Sequence, residues 1–320
     1  MNPLKLTAPL KDYLWGGRRL KEEYGKKTSL EKVAESWELS CHKDGPSVIE
    51  DGEYAGLTLR EYAEKAGGDV FGTDCASFED FPLLIKLIDA EQNLSVQVHP
   101  SNEYALRVEG EYGKTEMWYI VDAKEGSSLI YGLNREIGKD EFARRIEDNT
   151  LLEVCRYVPV KKGDVFFIEA GTLHAIGAGI LIAEIQQNSN STYRVYDYGR
   201  VGADGKPRQL HIEKALDVTR LGPAAREPGA VGTPERVGGA ESVLLGTCDY
   251  FTATRICLDG EAAFTVTGAS FHSLLVLEGE GELRWKDGSR RLRKGDSYFL
   301  PAGFGDYSLC GTMDCIRSEV

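Results

Sequence analysis

At 320 residues the chain holds about two domains' worth of sequence at the usual ~150 residues each, or one large all-β body. Its 38 Lys and Arg against 51 Asp and Glu leave a net charge of −13. A surface that acidic has no sequence-independent attraction for a phosphate backbone or an anionic bilayer, which argues against nucleic acid and membrane partners. A hydrophobic content of 42% with 9% aromatics excludes a disordered or fibrous chain.

No apolar run approaches the roughly 18 residues needed to span a membrane, and MNPLKLTAPLKDYLWGG at 1–17 lacks the apolar core of a signal peptide, so a cytoplasmic protein is expected. The 7 cysteines form no CxxC pair and leave an odd one over, the pattern of reduced, buried thiols. Histidine is scarce. A metal or acid–base site must draw on His42, His99, His174, His211 and His272.

In chain order, Thr58 followed by Glu61 is a capping box that opens a short helix. The runs FPLLIKLIDA at 81–90, NLSVQVHP at 93–100, EMWYIV at 116–121 and SSLIYG at 127–132 favour strands through their β-branched and aromatic content. KDEFARRIEDNTLLEVC at 139–155 puts Phe142, Ile146 and Leu151 on one helical face. Strands resume at GDVFFIEA (163–170) and ILIAEIQQ (180–187). Residues 222–240, rich in Gly, Pro and Ala without hydrophobic period, read as a linker. The short apolar runs beyond it, FTATRICL at 251–258, FTVTG at 264–268, HSLLVLEGEGELRW at 272–285 and SYFLPAG at 297–303, indicate a second β body. Three segments are therefore expected: 1–221, the linker 222–240, and 241–320.

The two β segments share a word. Gly163-Asp-Val-Phe-Phe-Ile-Glu-Ala-Gly171-Thr-Leu-His174 aligns without gaps on Gly295-Asp-Ser-Tyr-Phe-Leu-Pro-Ala-Gly303-Phe-Gly-Asp306, and EMWYIVD at 116–122 matches HSLLVLE at 272–278. The word resembles the second conserved motif of the cupins. That resemblance implies a mainly β protein of two cupin-like double-stranded β-helix (jelly-roll) barrels, with short helical insertions in the N-terminal part. Chemistry is not duplicated with it: His174 corresponds to Asp306 and His272 stands alone, so the C-terminal barrel is expected to be metal-free.

Gln97 and His99 are two apart on a strand and leave it on one face, a chelate spacing. With Glu116 and His174 they would supply two imidazoles, a carboxylate and an amide oxygen, a donor set that suits zinc and other divalent first-row metals. The same residues have plainer readings: His99 as a turn residue before Pro100, Glu116 paired with Lys114, and His174 as a core histidine.

The words LSVQVHPSNEYA (94–105), GKTEMWYIVDA (113–123), GDVFFIEAGTLHAIGAGILIAEIQQNS (163–189), TYRVYDYGR (192–200) and QLHIEKALDV (209–218), with YLWGG (13–17) and AESWELSCH (34–42), resemble the type I phosphomannose isomerases in the family's order. Those zinc enzymes interconvert mannose 6-phosphate and fructose 6-phosphate, and the resemblance implies the same reaction here through a metal-stabilised enediolate. It also implies that Gln97, His99, Glu116 and His174 hold the metal and that Arg194 is the essential arginine. Lys86, Ser95 and Lys114 would line the substrate cleft with Arg194 as phosphate or hydroxyl contacts. Glu184 would be the base, with Lys114 and a metal-bound water as rivals, and His211 and Asp197 would be supporting groups. The expected partner is a small sugar phosphate, with no obligate protein partner. Two alternatives stand beside this reading: a cupin oxygenase using iron, against which Gln97 counts, and a non-catalytic sugar-phosphate sensor. An acidic chain that takes a phosphorylated sugar must keep its cleft as a positive spot on a negative surface.

Overall fold

The computed structural model describes residues 1–67, 69–202 and 205–320, and among these the strands form three antiparallel sheets. The six-stranded sheet runs Val165–Ile168, Glu116–Ala123, Ile180–Gln187, Leu83–Ala90, Glu35–Ser40 and Leu10–Lys11. Both of its faces are covered, which is why its strands read as nearly unbroken apolar runs. Odd-numbered side chains of the central strands (Leu83, Ile85, Leu87, Met117, Tyr119, Leu181, Ala183, Ile185) pack into one core cluster. Even-numbered ones (Ile88, Trp118, Ile120, Ile180, Ile182) pack into another, as a period of two requires. Glu116, Lys86 and Glu184 share the even-numbered face.

Across that second cluster lies the five-stranded sheet, Tyr193–Tyr196, Val96–Val98, His174–Ala175, Ser128–Leu133 and Cys155–Pro159, which adds Leu129 and Tyr131 to the shared core. Its outer face, carrying Val96 and Val98, is covered by Phe142 and Ile146 of helix Lys139–Glu147 and by Ala215 of helix Ile212–Val218. The first of these helices is shorter than the periodicity over 139–155 suggests. It stops at Glu147, Asn149 takes φ 56°, and Leu151 reaches the same cluster from a separate 3-10 turn, Leu151–Val154. The capping box at Thr58 and Glu61 forms as expected.

The nine-stranded sheet contains Glu235–Val237, Ala240–Thr247, Thr252–Val266, Gly305–Glu319, His272–Trp285, Ser297–Leu300, Leu4–Thr7 and Val48–Ile49, with Gly288–Arg293 paired to His272–Trp285. The runs at 251–258 and 264–268 are two ends of one 15-residue strand. N-terminal segments complete this sheet, since Leu4 pairs with Phe299 and Leu6 with Ile49. Leu245, Phe251, Phe271, Leu275, Leu277, Phe299 and Ile316 pack on the odd-numbered face of the six-stranded sheet, so one core joins the two parts of the chain. A separate cluster of Leu274, Val276, Tyr298, Leu300, Tyr307 and Leu309 fills the interior of the C-terminal part.

The repeated word is repeated in backbone as well as in letters. Gly163 and Gly295 adopt φ 93° and 86°, and Gly171 and Gly303 adopt φ 86° and 74°, a region open to glycine at little cost. Between them lie strands Val165–Ile168 and Ser297–Leu300. Ile168 pairs with Glu116, and Leu300 with His272, so Glu116 and His272 hold equivalent places in the two copies.

Candidate metal centre

Strand register assembles the site as two facing rows. In the five-stranded sheet Gln97 is flanked by His174 on one neighbouring strand and Arg194 on the other. In the six-stranded sheet Glu184 is flanked by Lys86 and Trp118, and Lys86 in turn pairs with Trp37. Paired residues in adjacent strands present their side chains on the same face, so each row aims into the space between the sheets.

His99, Glu116 and His174 converge there, all buried, with one potential ligand atom from each lying within 4.8 Å of the others. His99 Nδ1–H donates to the Ser191 carbonyl at 2.8 Å, and His174 Nδ1–H to the Thr172 carbonyl at 2.8 Å. With Nδ1 protonated, each neutral ring offers an Nε2 lone pair. Those two atoms lie 3.4 and 3.3 Å from Glu116 Oε1, which has no hydrogen-bond partner of its own. The Gln97 amide lies 3.4 Å from His174 Nε2, and a half-turn about its terminal bond presents its oxygen there. Burial holds both imidazoles neutral, pushing His99 well below the ordinary histidine pKa and lowering His174 as well. Burial opposes ionisation of Glu116, yet Lys114 holds its carboxyl below the usual carboxylate range.

A buried carboxylate oxygen that faces two imidazole acceptors with no donor of its own is costly in a dry interior. A divalent cation relieves that cost, and this donor set fits one. The Lys114 ammonium already sits at the edge of the cluster, 2.7 Å from Glu116 Oε2 and 3.1 Å from His99 Nε2. The plain reading of Glu116 as a partner of Lys114 is therefore met, and it accounts for only one of the two carboxylate oxygens.

The cluster opens into a cavity of about 200 Å³ lined by Lys86, Ser95, Gln97, Lys114, Glu184 and Arg194 among others. Glu184 is 3% exposed; its Oε2 accepts from Trp118 Nε1–H at 2.8 Å, while Oε1 lacks a hydrogen-bond partner and lies 3.4 Å from Lys86 Nζ. Burial works against the Lys86 charge, but Glu35 and Glu184 hold its ammonium above the usual lysine range. Arg194 donates to Ser95 Oγ at 3.2 Å and to the Gln209 carbonyl at 3.0 Å. It leaves Asp197 to Arg200 and to Arg208, whose Nε donates at 2.7 Å. His211 accepts the Arg194 backbone N–H at Nδ1, 3.2 Å away. A larger cavity of about 550 Å³ between the N-terminus, residues 51–54 and Arg290 contains none of these groups.

Several pocket residues escaped the sequence reading. Tyr13, Trp15 and Glu35 line the cavity from words already noted as family-like, YLWGG and AESWELSCH. Thr192 opens another such word, TYRVYDYGR, whereas Asn190 and Arg208 lie in connections without hydrophobic period, and only the fold brings them to the cavity.

Fold and site together define a layered β protein with a buried His–Glu–His group for a divalent metal at the base of a cation-lined cleft. The phosphomannose isomerase type I catalytic domain model matches residues 4–135, and the mannose-6-phosphate isomerase cupin domain model matches 242–320. A mannose-6-phosphate isomerase of Streptococcus mutans is 39% identical over 99% of this chain and 98% of its own. A probable mannose-6-phosphate isomerase of Bacillus subtilis is 40% identical over 99% of both. The crystal structure of a mannose 6-phosphate isomerase from Bacillus subtilis superposes with a TM-score of 0.92 at 36% identity, covering 100% of both chains. The chain belongs to the type I mannose-6-phosphate isomerase family and is an isomerase with a cupin fold.

Proposed function

We propose that this chain interconverts mannose 6-phosphate and fructose 6-phosphate with a divalent metal, zinc, held by Gln97, His99, Glu116 and His174. The observation that carries the reading is the orphaned Glu116 Oε1 facing two imidazole lone pairs beside the cavity. When bound, the metal supplies Lewis-acid stabilisation of the negative charge that develops on the sugar oxygens.

The chain's own residues divide the remaining work. Glu184 is the base: its Oε1 is unpartnered, and Trp118 holds the other oxygen so that the carboxylate cannot rotate freely. It takes the C2 proton of the open-chain aldose and returns it to C1 of the resulting enediolate. Lys86 and Lys114 stand among Glu35, Glu116 and Glu184, so each ammonium is already paired with a carboxylate at the sugar end of the cleft. They serve the sugar hydroxyls. Among the described residues, Arg194, Arg200 and Arg208 stand together against the single carboxylate of Asp197. Burial and, after it, the neighbouring Arg208 push the Arg194 pKa below its ordinary value. The 6-phosphate therefore belongs at Arg194 and Arg208, both on the cavity wall, where its binding energy orients the distant carbonyl end. This is the positive spot that an acidic chain needs.

The seven cysteines are all unpaired, which suits a reducing cytoplasm. Among the described residues no helix is long and apolar enough to cross a membrane.

A coupled assay with mannose 6-phosphate tests the proposal: a chelator abolishes turnover and zinc restores it, and a chelated protein that kept full activity would sink the metal assignment. Glu184→Gln lowers kcat by about 10²–10⁴-fold, the usual share of a general base, and slows solvent deuterium entry into the product. A product free of solvent deuterium from the parent enzyme would replace proton transfer with a hydride shift.

A further inference from the structure

Glu111 lies outside the sugar cavity and belongs to no ligand set, yet it holds the backbone on which His99 depends. It lines a different cavity, of about 480 Å³. One carboxylate oxygen accepts from the Asn190 backbone N–H at 3.2 Å and from the Ser191 hydroxyl at 3.3 Å. The other lies 3.1 Å from Lys43 Nζ and 3.4 Å from His42 Nε2. His42 Nδ1 accepts the Asp44 N–H at 3.1 Å, so its proton sits on Nε2 and faces Glu111. Two hydrogen bonds, an ammonium and an imidazole edge thus surround one carboxylate whose side chain is 19% exposed.

What Glu111 grips is a turn between strands Ile180–Gln187 and Tyr193–Tyr196. The Ser191 carbonyl on that turn accepts the His99 Nδ1–H at 2.8 Å. An imidazole can swivel about its χ2 bond, and the partner of Nδ1 selects both its tautomer and its angle. A carbonyl on an irregular turn is only as fixed as the turn. Glu111 itself is well anchored, because Gly113 two residues on lies so close to Ser101 and Asn102 that a Cβ there would come within 2.4 Å of their backbone. Asn190 and Thr192 of the same turn line the sugar cavity, so the clamp also shapes that wall.

We propose that Glu111 is a positioning residue for the metal centre: by clamping Asn190 and Ser191 it fixes the carbonyl that aims the His99 Nε2 lone pair. This inference rests on the functional reading above.

Zinc affinity of the metal-stripped protein, measured by competition with a chromophoric chelator, reads the clamp without turnover. Glu111→Ala weakens zinc binding by about tenfold, within the range found for groups that orient metal ligands. Glu111→Gln retains affinity to within about threefold of the parent, because its amide oxygen still accepts from Asn190 and Ser191. Lys43→Ala, which removes charge from the same carboxylate without touching the turn, leaves affinity unchanged. In parallel, the His99 Nδ1–H exchanges faster with solvent in Glu111→Ala, as followed by NMR. Parental zinc affinity and parental exchange in Glu111→Ala would overturn the proposal, and so would a loss in Lys43→Ala equal to that in Glu111→Ala. Should Glu111→Ala not fold, Glu111→Asp, which withdraws the carboxylate by one methylene, takes its place with the same expectations. A parent protein that binds no zinc defeats the functional reading alone; the exchange of the His99 proton then decides the clamp by itself.

Discussion

Glu116 and His272 occupy the same place in two copies of one backbone unit, and they differ in whether their neighbours satisfy them. Around Glu116 the neighbours are further acceptors: His99 Nε2 and His174 Nε2 at 3.4 and 3.3 Å face an oxygen that has no donor. Around His272 both ring nitrogens have complements. Its Nδ1 is 2.9 Å from Tyr307 Oη, its Nε2 is 3.2 Å from Glu319, and Arg317 is 3.1 Å from the other Glu319 oxygen. Asp306, the counterpart of His174, accepts from Thr265 at 2.6 Å and is exposed. One unit therefore leaves a carboxylate oxygen that a cation would satisfy, and the other pairs its histidine with a hydroxyl and a carboxylate. A burial pattern alone does not separate a metal centre from a structural polar cluster; the balance of donors and acceptors does.

The most drastic test of the comparison separates the copies. Truncation after residue 221 strips Leu245, Phe251, Phe271, Leu275, Phe299 and Ile316 from the core they share with the six-stranded sheet. The fragment is expected to be insoluble, and a soluble, fully active fragment would show that the N-terminal part stands alone. A gentler test changes the two equivalent residues in parallel. Glu116→Gln is expected to lower kcat/KM by about 10³-fold, the scale of a lost charge-stabilising element. His272→Gln leaves kcat/KM within about twofold and costs ~1–3 kcal/mol of stability in urea unfolding, because it strands buried partners. Equal losses of activity in the two variants would break the distinction.

Arg208→Ala sharpens the division of labour inside the catalytic part. It raises KM for mannose 6-phosphate about 10–100-fold, the equivalent of a charge-assisted hydrogen bond worth ~1.5–3 kcal/mol, with a smaller change in kcat. An unchanged KM would move the phosphate away from the arginine cluster.

The smallest expected effect is a pH dependence. Burial, opposed by Glu319, lowers the His272 pKa below 6.5. The unfolded chain then binds more protons than the folded one, so the contribution of neutral His272 is complete above about pH 6.5 and is lost as pH falls toward the folded-state pKa. His42, His99, His174 and His211 are lowered too. The difference between parent and His272→Gln in urea midpoint isolates the one residue, and it should narrow on going from pH 7 to pH 5. A difference that stayed constant would show that His272 does not titrate in that window.

Much of this was legible in the letters. The repeated glycine word, the period-two strands and the Gln97–His99 spacing each depend on local geometry, and local geometry is written in sequence. The long C-terminal strands were not, because Thr252–Val266 passes through Gly260, and a local reading breaks a strand at glycine. Arg208 and Glu111 were invisible for a different reason. Each sits in an irregular segment with no period, and each acquires its role from partners far away in the chain.

Sequence by itself determined which residues could bind a metal and a sugar phosphate, since donor chemistry belongs to side chains and the family likeness is spelled in them. Tertiary structure alone decided charge balance and buttressing. Lys86 and Lys114 are cations in any sequence, but only the packed sheets place them among Glu35, Glu116 and Glu184 and leave Arg194 beside Arg208 and Arg200. Electrostatic roles depend on distances of a few ångströms between residues that may be a hundred positions apart, and those distances exist only once the chain has folded.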